Sequence, residues 1–333
     1  MDYRTFGKTG LKVSALGFGC GNVGGLMVRG APAERERAVA RAVELGINYF
    51  DTAPSYGDGL SERHLGQALK AVKAPVYVGT KFRLDPGPPG NVADAIAGSL
   101  DASLWRLGLE ELDLLQLHNR IVLERRDSDV GLRMLLDAVV PALDKLRQQG
   151  KIRFYGITAL GETEALHRVI DAGVLDTAQV CYNLLNPSAG VEVPAGFPAQ
   201  DFRGLLRRTK AQGMGVIAIR VAAAGALSGS PARHPIAAPK VEPIASGPDY
   251  ASDVRRAQML GALVREGHVE SLVEASLRLA VGTDGISTVL LGYSSLEHLE
   301  YAAACVAKGP LSRPALDRLA ALWRQLPGAA AAS

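Results

Sequence analysis

The amino-acid sequence predicts an α/β chain folded as a (β/α)8 barrel, with an N-terminal β-hairpin and long loops on the C-terminal face of the barrel. Three observations carry this prediction. Eight short apolar runs recur along the chain, segments with helical spacing of apolar residues separate them, and ionisable side chains follow the ends of three consecutive runs. At 333 residues the chain has room for one large barrel or two smaller domains. Eight strands, each followed by a helix, specify the closed barrel more economically than an open sheet, so residues 1–333 are read as one domain.

The opening segment alternates polar and apolar residues around Gly7 and the run Lys8-Thr9-Gly10, which reads as a hairpin placed before the first buried strand. Strands are then expected at residues 15–19, 48–51, 76–81, 112–118, 154–158, 177–182, 215–220 and 287–291. Helical spacing covers 32–45, 61–72, 92–107, 132–149, 163–172, 201–212 and 271–281. Ser61 reads as a cap ahead of Glu62-Arg63, and Gly150 and Gly173 read as helix ends. Trp105 and Trp323 fall in amphipathic stretches and are expected in the helical shell.

Two segments break the rhythm: residues 119–131, which are charged, and residues 222–253, rich in Ala, Pro, Gly and Ser. Loops longer than about 12 to 15 residues in a compact domain are usually functional. Both follow strand ends, so they are expected to act as substrate and cofactor loops. The Ala-rich segment 326–333 reads as a flexible tail.

The formal charge of +3 arises from 37 basic and 34 acidic residues without a run of like charge, which gives no support to nucleic-acid or membrane-surface binding. The three cysteines, Cys20, Cys181 and Cys305, are far apart and in no metal-like spacing, so buried thiols in a reducing compartment are expected. No signal-peptide core and no run of 18 apolar residues is present, and a cytoplasmic location follows.

The chemistry concentrates in GINYFDTAPSYG, where Asp51 and Tyr56 stand five residues apart beyond an apolar run. Lys81 closes VYVGTK and His118 closes LDLLQLH. In a parallel barrel these ends meet on one face. A phenol ionises near pH ~10, so a catalytic tyrosine needs a cation to stabilise its phenolate. Lys81 supplies that cation, Asp51 holds the lysine, and His118 orients a substrate oxygen. The competing reading has Asp51 as a cap, Lys81 as a solvated strand end, Tyr56 as loop packing and His118 as a core histidine.

The motifs FGKTGLKVSALGFG, GINYFDTAPSYG, GTK, QLH, GIT, QVCYN and LLGYSSLEHL together resemble the aldo-keto reductase family, from Phe6 to about Ala307. The resemblance implies Tyr56 as general acid, Lys81 and Asp51 as its tuning pair, and His118 as the substrate-orienting group. It implies NAD or NADP bound across the barrel mouth, and a small carbonyl, polyol or sugar as substrate, with the aldose dehydrogenase branch the nearest in pattern. Thr158 and Gln179 match the residues that hold the nicotinamide carboxamide, while Ala159 stands where the family usually has Asn. Ile219 replaces the stacking aromatic, with Arg220 next to it, and Gly225, Leu227 and Gly229 match the pyrophosphate turn. Gly292, Ser294 and Ser295 lead into the helix that meets the adenosine end, and His298 occupies the usual arginine position. No Lys or Arg occurs from Leu279 through Ala307, so NADP preference is expected to be weak unless Arg233 or Lys240 folds over from the 222–253 segment. A cofactor-sensing subunit without turnover is the alternative on the same barrel.

Other signals are weaker. Gly17 to Asn22 comes close to a dinucleotide fingerprint, but Asn22 replaces its third glycine and a turn is expected there. His64, His167, His234 and His268 are dispersed and read as surface or packing residues. Cys20 lies at a strand end on the active face and is a candidate substrate-lining residue.

Overall fold

The structure, a computed structural model, describes residues 1–85 and 91–326. Strands β1 (Tyr3–Thr5) and β2 (Lys12–Ser14) pair antiparallel as the expected hairpin. The barrel strands β3 (Leu16–Gly19), β4 (Tyr49–Asp51), β5 (Tyr77–Phe82) and β6 (Leu112–Leu117) follow. A short ladder, β7 (Ile121–Val122) with β8 (Val130–Gly131), lies in the 119–131 segment. β9 (Ile152–Thr158), β10 (Thr177–Cys181), β11 (Gly215–Ile219) and β12 (Thr288–Gly292) complete the barrel. All eight barrel pairings are parallel, and β9 and β10 pair to close the ring.

Chain-local chemistry explains the hairpin's position. Phe6, Leu11 and Val13 pack with Tyr49, Leu114 and Ile217 in a small core of their own, separate from the larger core between strands and helices. The hairpin therefore plugs the N-terminal end of the barrel. Gly7 is left-handed at φ 53°, and a Cβ there would stand 2.2 Å from the Gly215 nitrogen, so only glycine brings the turn this close to β11.

The helical layer contains α1 (Leu26–Arg29), α2 (Pro32–Glu44), α3 (Leu60–Val72), α4 (Val92–Leu107), α5 (Leu132–Met134) and α6 (Val140–Gln148). It continues with α7 (Thr163–Asp171), α8 (Leu205–Ala211), α9 (Tyr250–Met259), α10 (Ala262–Arg265), α11 (Leu272–Gly282), α12 (Leu296–Ala307) and α13 (Arg313–Trp323). Gly150 and Gly173 end their helices left-handed, as expected.

Several local expectations are corrected. The single helix expected over 132–149 is interrupted by a π-helical segment, Leu135–Val139, just before Pro141. Proline has no N–H for the i→i−4 ladder, and the wider turn absorbs that loss. Residues 201–204 are not helical: the Asp201 carboxylate accepts from the Arg203 N–H at 2.8 Å, and Arg203 and Gly204 are left-handed, so α8 starts at Leu205. Ser61 is not a cap, because Gly59 takes that position at φ 82°. Its hydroxyl is buried instead, donating to the Cys20 carbonyl at 2.8 Å and sharing a 2.8 Å hydrogen bond with the Thr52 hydroxyl. The 222–253 segment is not bare loop, since a 3-10 turn covers Ala223–Ser228 and α9 begins at Tyr250. Trp323 is buried and donates to the Leu184 carbonyl, whereas Trp105 points outward, 71 % exposed, under the Arg63 guanidinium. Beyond the buried Leu326, the expected tail lies outside the described residues.

Candidate active site

Asp51 is the last residue of β4, and its period-2 neighbour Tyr49 shares its inward face. Register sets Asp51 beside Gly79 and Lys81 beside Gln116, which brings β4, β5 and β6 together at one depth of the barrel. Lys81 donates to Asp51 in an ion pair with both side chains at most 2 % exposed, and also to the Thr52 carbonyl at 2.7 Å. Three neutral donors converge on the second carboxylate oxygen of Asp51: the Tyr49 hydroxyl at 3.2 Å, the Gln116 amide at 3.2 Å and the Gln179 amide at 2.7 Å.

Burial pushes the Asp51 carboxyl upward, and Lys81, Tyr49 and Gln116 pull against it. Burial also opposes the Lys81 ammonium, but the negative charge of Asp51 and the Tyr56 phenol outweigh it and hold Lys81 above the ordinary lysine range. The proton of the pair therefore resides on Lys81. The ammonium lies 5.0 Å from the centroid of the Tyr56 ring, on the turn after β4, and the His118 ring meets Tyr56 edge-on at 6.0 Å and 88°. Burial first, then the positive charges of Lys81 and Arg83, push the His118 imidazole down to about 2. His118 is accordingly a neutral hydrogen-bonding group. All four residues come together on the C-terminal face, and the arrangement can move a proton at a phenol beside a fixed cation. A cleft of about 310 Å³ opens there, lined by Pro54, Ser55, Lys81, Phe82, Arg83 and His118 among others.

The cofactor candidates are spread over the rim. Gln179 faces Asp51, while its carbonyl accepts from the Thr158 hydroxyl at 3.4 Å, and Ala159 is fully buried. Ile219 packs partly buried between the two cores. Arg220 is left-handed at φ 57°, and its side chain donates to the Glu242 carbonyl at 3.1 Å. Burial lowers the Arg220 guanidinium. Gly225 and Gly229 are left-handed, and Leu227 is buried. Gly292 ends β12, the Ser294 hydroxyl donates to the Gly24 carbonyl at 2.7 Å, and Ser295 caps α12 by accepting from the His298 N–H at 3.3 Å.

The 222–253 segment bridges from β11 to the loop after β3. Ala238 N–H donates to the Val23 carbonyl at 3.1 Å, Arg29 donates to the Ile236 carbonyl at 2.7 Å, and His234 lies edge-on to His298 at 5.6 Å. Arg233 donates to the Ala238 and Ala224 carbonyls at 2.5 and 2.7 Å, and Lys240 is exposed. Cys20 is buried under the Ser61 contact and does not line the described cleft. Gln116 and Tyr49 were not anticipated as contributors. Tyr49 stands two residues before Asp51 on one strand face and Gln116 stands in the QLH motif, but neither pattern by itself signals a contact with Asp51.

Comparison with known proteins settles the family. The sequence profile described as the aldo/keto reductase family matches residues 15–324. The chain belongs to the aldo/keto reductase family. It is similar to an L-galactose dehydrogenase of Arabidopsis thaliana, 32 % identical over 317 residues that cover 92 % of this chain and 89 % of the relative. It is also similar to an L-glyceraldehyde 3-phosphate reductase of Escherichia coli, 28 % identical over 90 % of this chain and 86 % of that one. An aldo-keto reductase of Bacillus halodurans, solved in its holo form, shares the fold with a TM-score of 0.73 at 24 % identity, covering 97 % and 96 % of the two chains. Among the described residues no helix is long and apolar enough to cross a membrane.

Proposed function

We propose that this oxidoreductase-family chain is an NAD(P)-dependent enzyme that interconverts a carbonyl and its alcohol, or an aldose and its lactone, with Tyr56 as general acid and base. The observation that carries this reading is the buried Asp51–Lys81 pair with its ammonium 5.0 Å from the Tyr56 ring centroid, facing the neutral His118. The donor set around the rim fits an anionic cofactor with an amide group. Thr158 and Gln179 would hold the amide, Ile219 would cover the ring, and Arg220 with the turn through Gly225, Leu227 and Gly229 would face the phosphates. Gly292, Ser294, Ser295 and His298 would meet the adenosine end at the start of α12.

When bound, the nicotinamide supplies the site that gives or accepts a hydride. The chain's own residues do the rest. His118, neutral, donates a ring N–H to the substrate oxygen and places it against Tyr56. Tyr56 gives its hydroxyl proton to that oxygen in reduction and takes it back in oxidation, while Lys81 stabilises the phenolate that results. The similarity to an L-galactose dehydrogenase supports an aldose or related hydroxyaldehyde as the substrate class.

Tyr56→Phe removes only the ionisable hydroxyl. Turnover with a panel of aldehydes, ketones and aldoses is expected to fall by at least about a hundredfold, with cofactor affinity kept. Near-normal kcat in the variant would refute Tyr56 as the acid. Tight cofactor binding with no turnover of any substrate in the unmodified protein would favour a cofactor-sensing subunit.

A further inference from the structure

We propose that Tyr49 and Gln116 are positioning residues that hold Asp51 in its charged, Lys81-bound state and thereby set the pH at which Tyr56 ionises. The proposal rests on the reading of Tyr56 as acid and base. Neither residue reaches the cleft: Tyr49 is 1 % exposed and Gln116 fully buried in the layer beneath it.

The barrel is shaped around the Tyr49 phenol. Gly79, the register partner of Asp51, leaves the space it occupies, since a Cβ there would stand 2.6 Å from the Tyr49 oxygen. Gly17 opens the other side, where a Cβ would stand 3.1 Å from the Tyr49 ring. Phe6 of the hairpin plug closes from below at 5.8 Å between ring centroids. The phenol thus has one orientation, with its hydroxyl on Asp51.

Gln116 carries the second observation. Its amide nitrogen donates to Asp51 while its carbonyl oxygen is buried with no hydrogen-bond partner. An unpaired buried acceptor is costly, and the arrangement persists because the reverse orientation would set that oxygen against the carboxylate. Both residues act as neutral donors to one charged oxygen. That favours Asp51 with Lys81 ionised over the tautomer in which the proton has crossed to Asp51 and the ammonium is gone. Only the ionised pair presents the Lys81 cation to the Tyr56 phenolate.

The other titratable groups facing the pair do not supply this effect. Cys20 after β3 is held as a neutral thiol by burial, and His118 after β6 is neutral. Arg220 after β11 acts on the Tyr56 phenol rather than on the pair, and it stays in place when Tyr49 or Gln116 is substituted.

The test uses Tyr49→Phe, which keeps the ring and deletes the donor, and Gln116→Met, which keeps the length. Tyr56 ionisation is followed by NMR of ring-labelled tyrosine in the protein without cofactor, assigned with Tyr56→Phe, alongside the pH profile of substrate oxidation. A donor to a charged group lost through one relay is expected to move the Tyr56 midpoint, and the acid limb of oxidation, up by about 0.5 to 1 pH unit in each variant and further in the double variant. A variant with wild-type thermal unfolding and an unmoved Tyr56 midpoint would overturn the proposal while leaving the acid/base reading intact. A moved midpoint in a protein that turns over no substrate would support the proposal and sink that reading. If Tyr49→Phe fails to fold, Gln116→Met decides alone.

Discussion

His118 shows how a single residue couples the site to folding. Its imidazole is held at about 2, chiefly by burial and then by Lys81 and Arg83. In the unfolded chain the same ring takes a proton near pH ~6.5. The folded value is the depressed one, so between these limits the unfolded state binds more protons, and the contribution present above that window is lost as pH falls through it. The slope from this one group reaches at most about 1.4 kcal/mol per pH unit. His118→Asn is therefore expected to flatten the loss of stability below about pH 6.5, as read by urea unfolding at several pH values. Equal slopes in both proteins would contradict the buried, neutral imidazole. The proposed catalytic residues stood out in the sequence because Asp51, Lys81 and His118 each close an apolar run, and the fold brings them together on one face. What was not legible was the layer below them. Tyr49 and Gln116 read as ordinary strand residues, since nothing in a linear pattern shows that glycines at 17 and 79 clear the space one of them fills.

At the scale of elements, the shell is fixed by close approaches that propensity does not reveal. Gly66 in α3 packs against the end of α4, where a Cβ would lie 2.2 Å from the Leu107 carbonyl oxygen. Alanine is the better helix former by about 1 kcal/mol, so propensity alone expects Gly66→Ala to stabilise. The backbone clash opposes this and wins, because the helices must separate to relieve it: overpacking costs about 1 to 3 kcal/mol, and a 2.2 Å contact with backbone falls at the upper end of that range. The expected outcome is a net loss of at least about 1 kcal/mol in chemical denaturation; a more stable variant would show that α3 and α4 do not pack this tightly. The same distinction governs which elements the sequence revealed. Eight apolar runs and most helix spans were legible from periodicity. The π-helical turn before Pro141 and the late start of α8 were not, because each reflects a side chain or ring competing with the helical hydrogen bonds. Ser61 and Glu62 looked like a helix start and proved to be buried anchors: the Glu62 carboxylate accepts from the Thr80 hydroxyl at 2.6 Å and from Arg106 at 2.5 Å.

For the molecule as a whole, the consequence of greatest reach concerns which cofactor it takes, because the adenosine end would be met by two separate parts of the chain. The first turn of α12 offers N–H groups but also Glu297, and Glu300 one turn on is paired with Arg41 of α2. The 222–253 segment does fold over this end, yet the residue it sets against His298 is His234, while Arg233 Nε and Nη1 donate to the Ala238 and Ala224 carbonyls. Burial first, then His234, holds the His298 imidazole below the ordinary range, so it is uncharged at neutral pH. A 2'-phosphate carries up to two negative charges, and charged donors contribute about 1.5 to 3 kcal/mol per hydrogen bond, so a pocket whose nearby arginines are already paired with Glu300 or with backbone carbonyls gives up roughly tenfold or more in discrimination. Titrations at pH about 7.5 are expected to give dissociation constants for NAD and NADP within about tenfold of each other, or NAD the tighter. His298→Arg adds a charge that persists at every working pH and is expected to move the ratio toward NADP. Strong NADP selectivity in the unmodified protein would contradict this account, and Arg233→Ala and Lys240→Ala would then show which side chain of the folded-over segment supplies the cation.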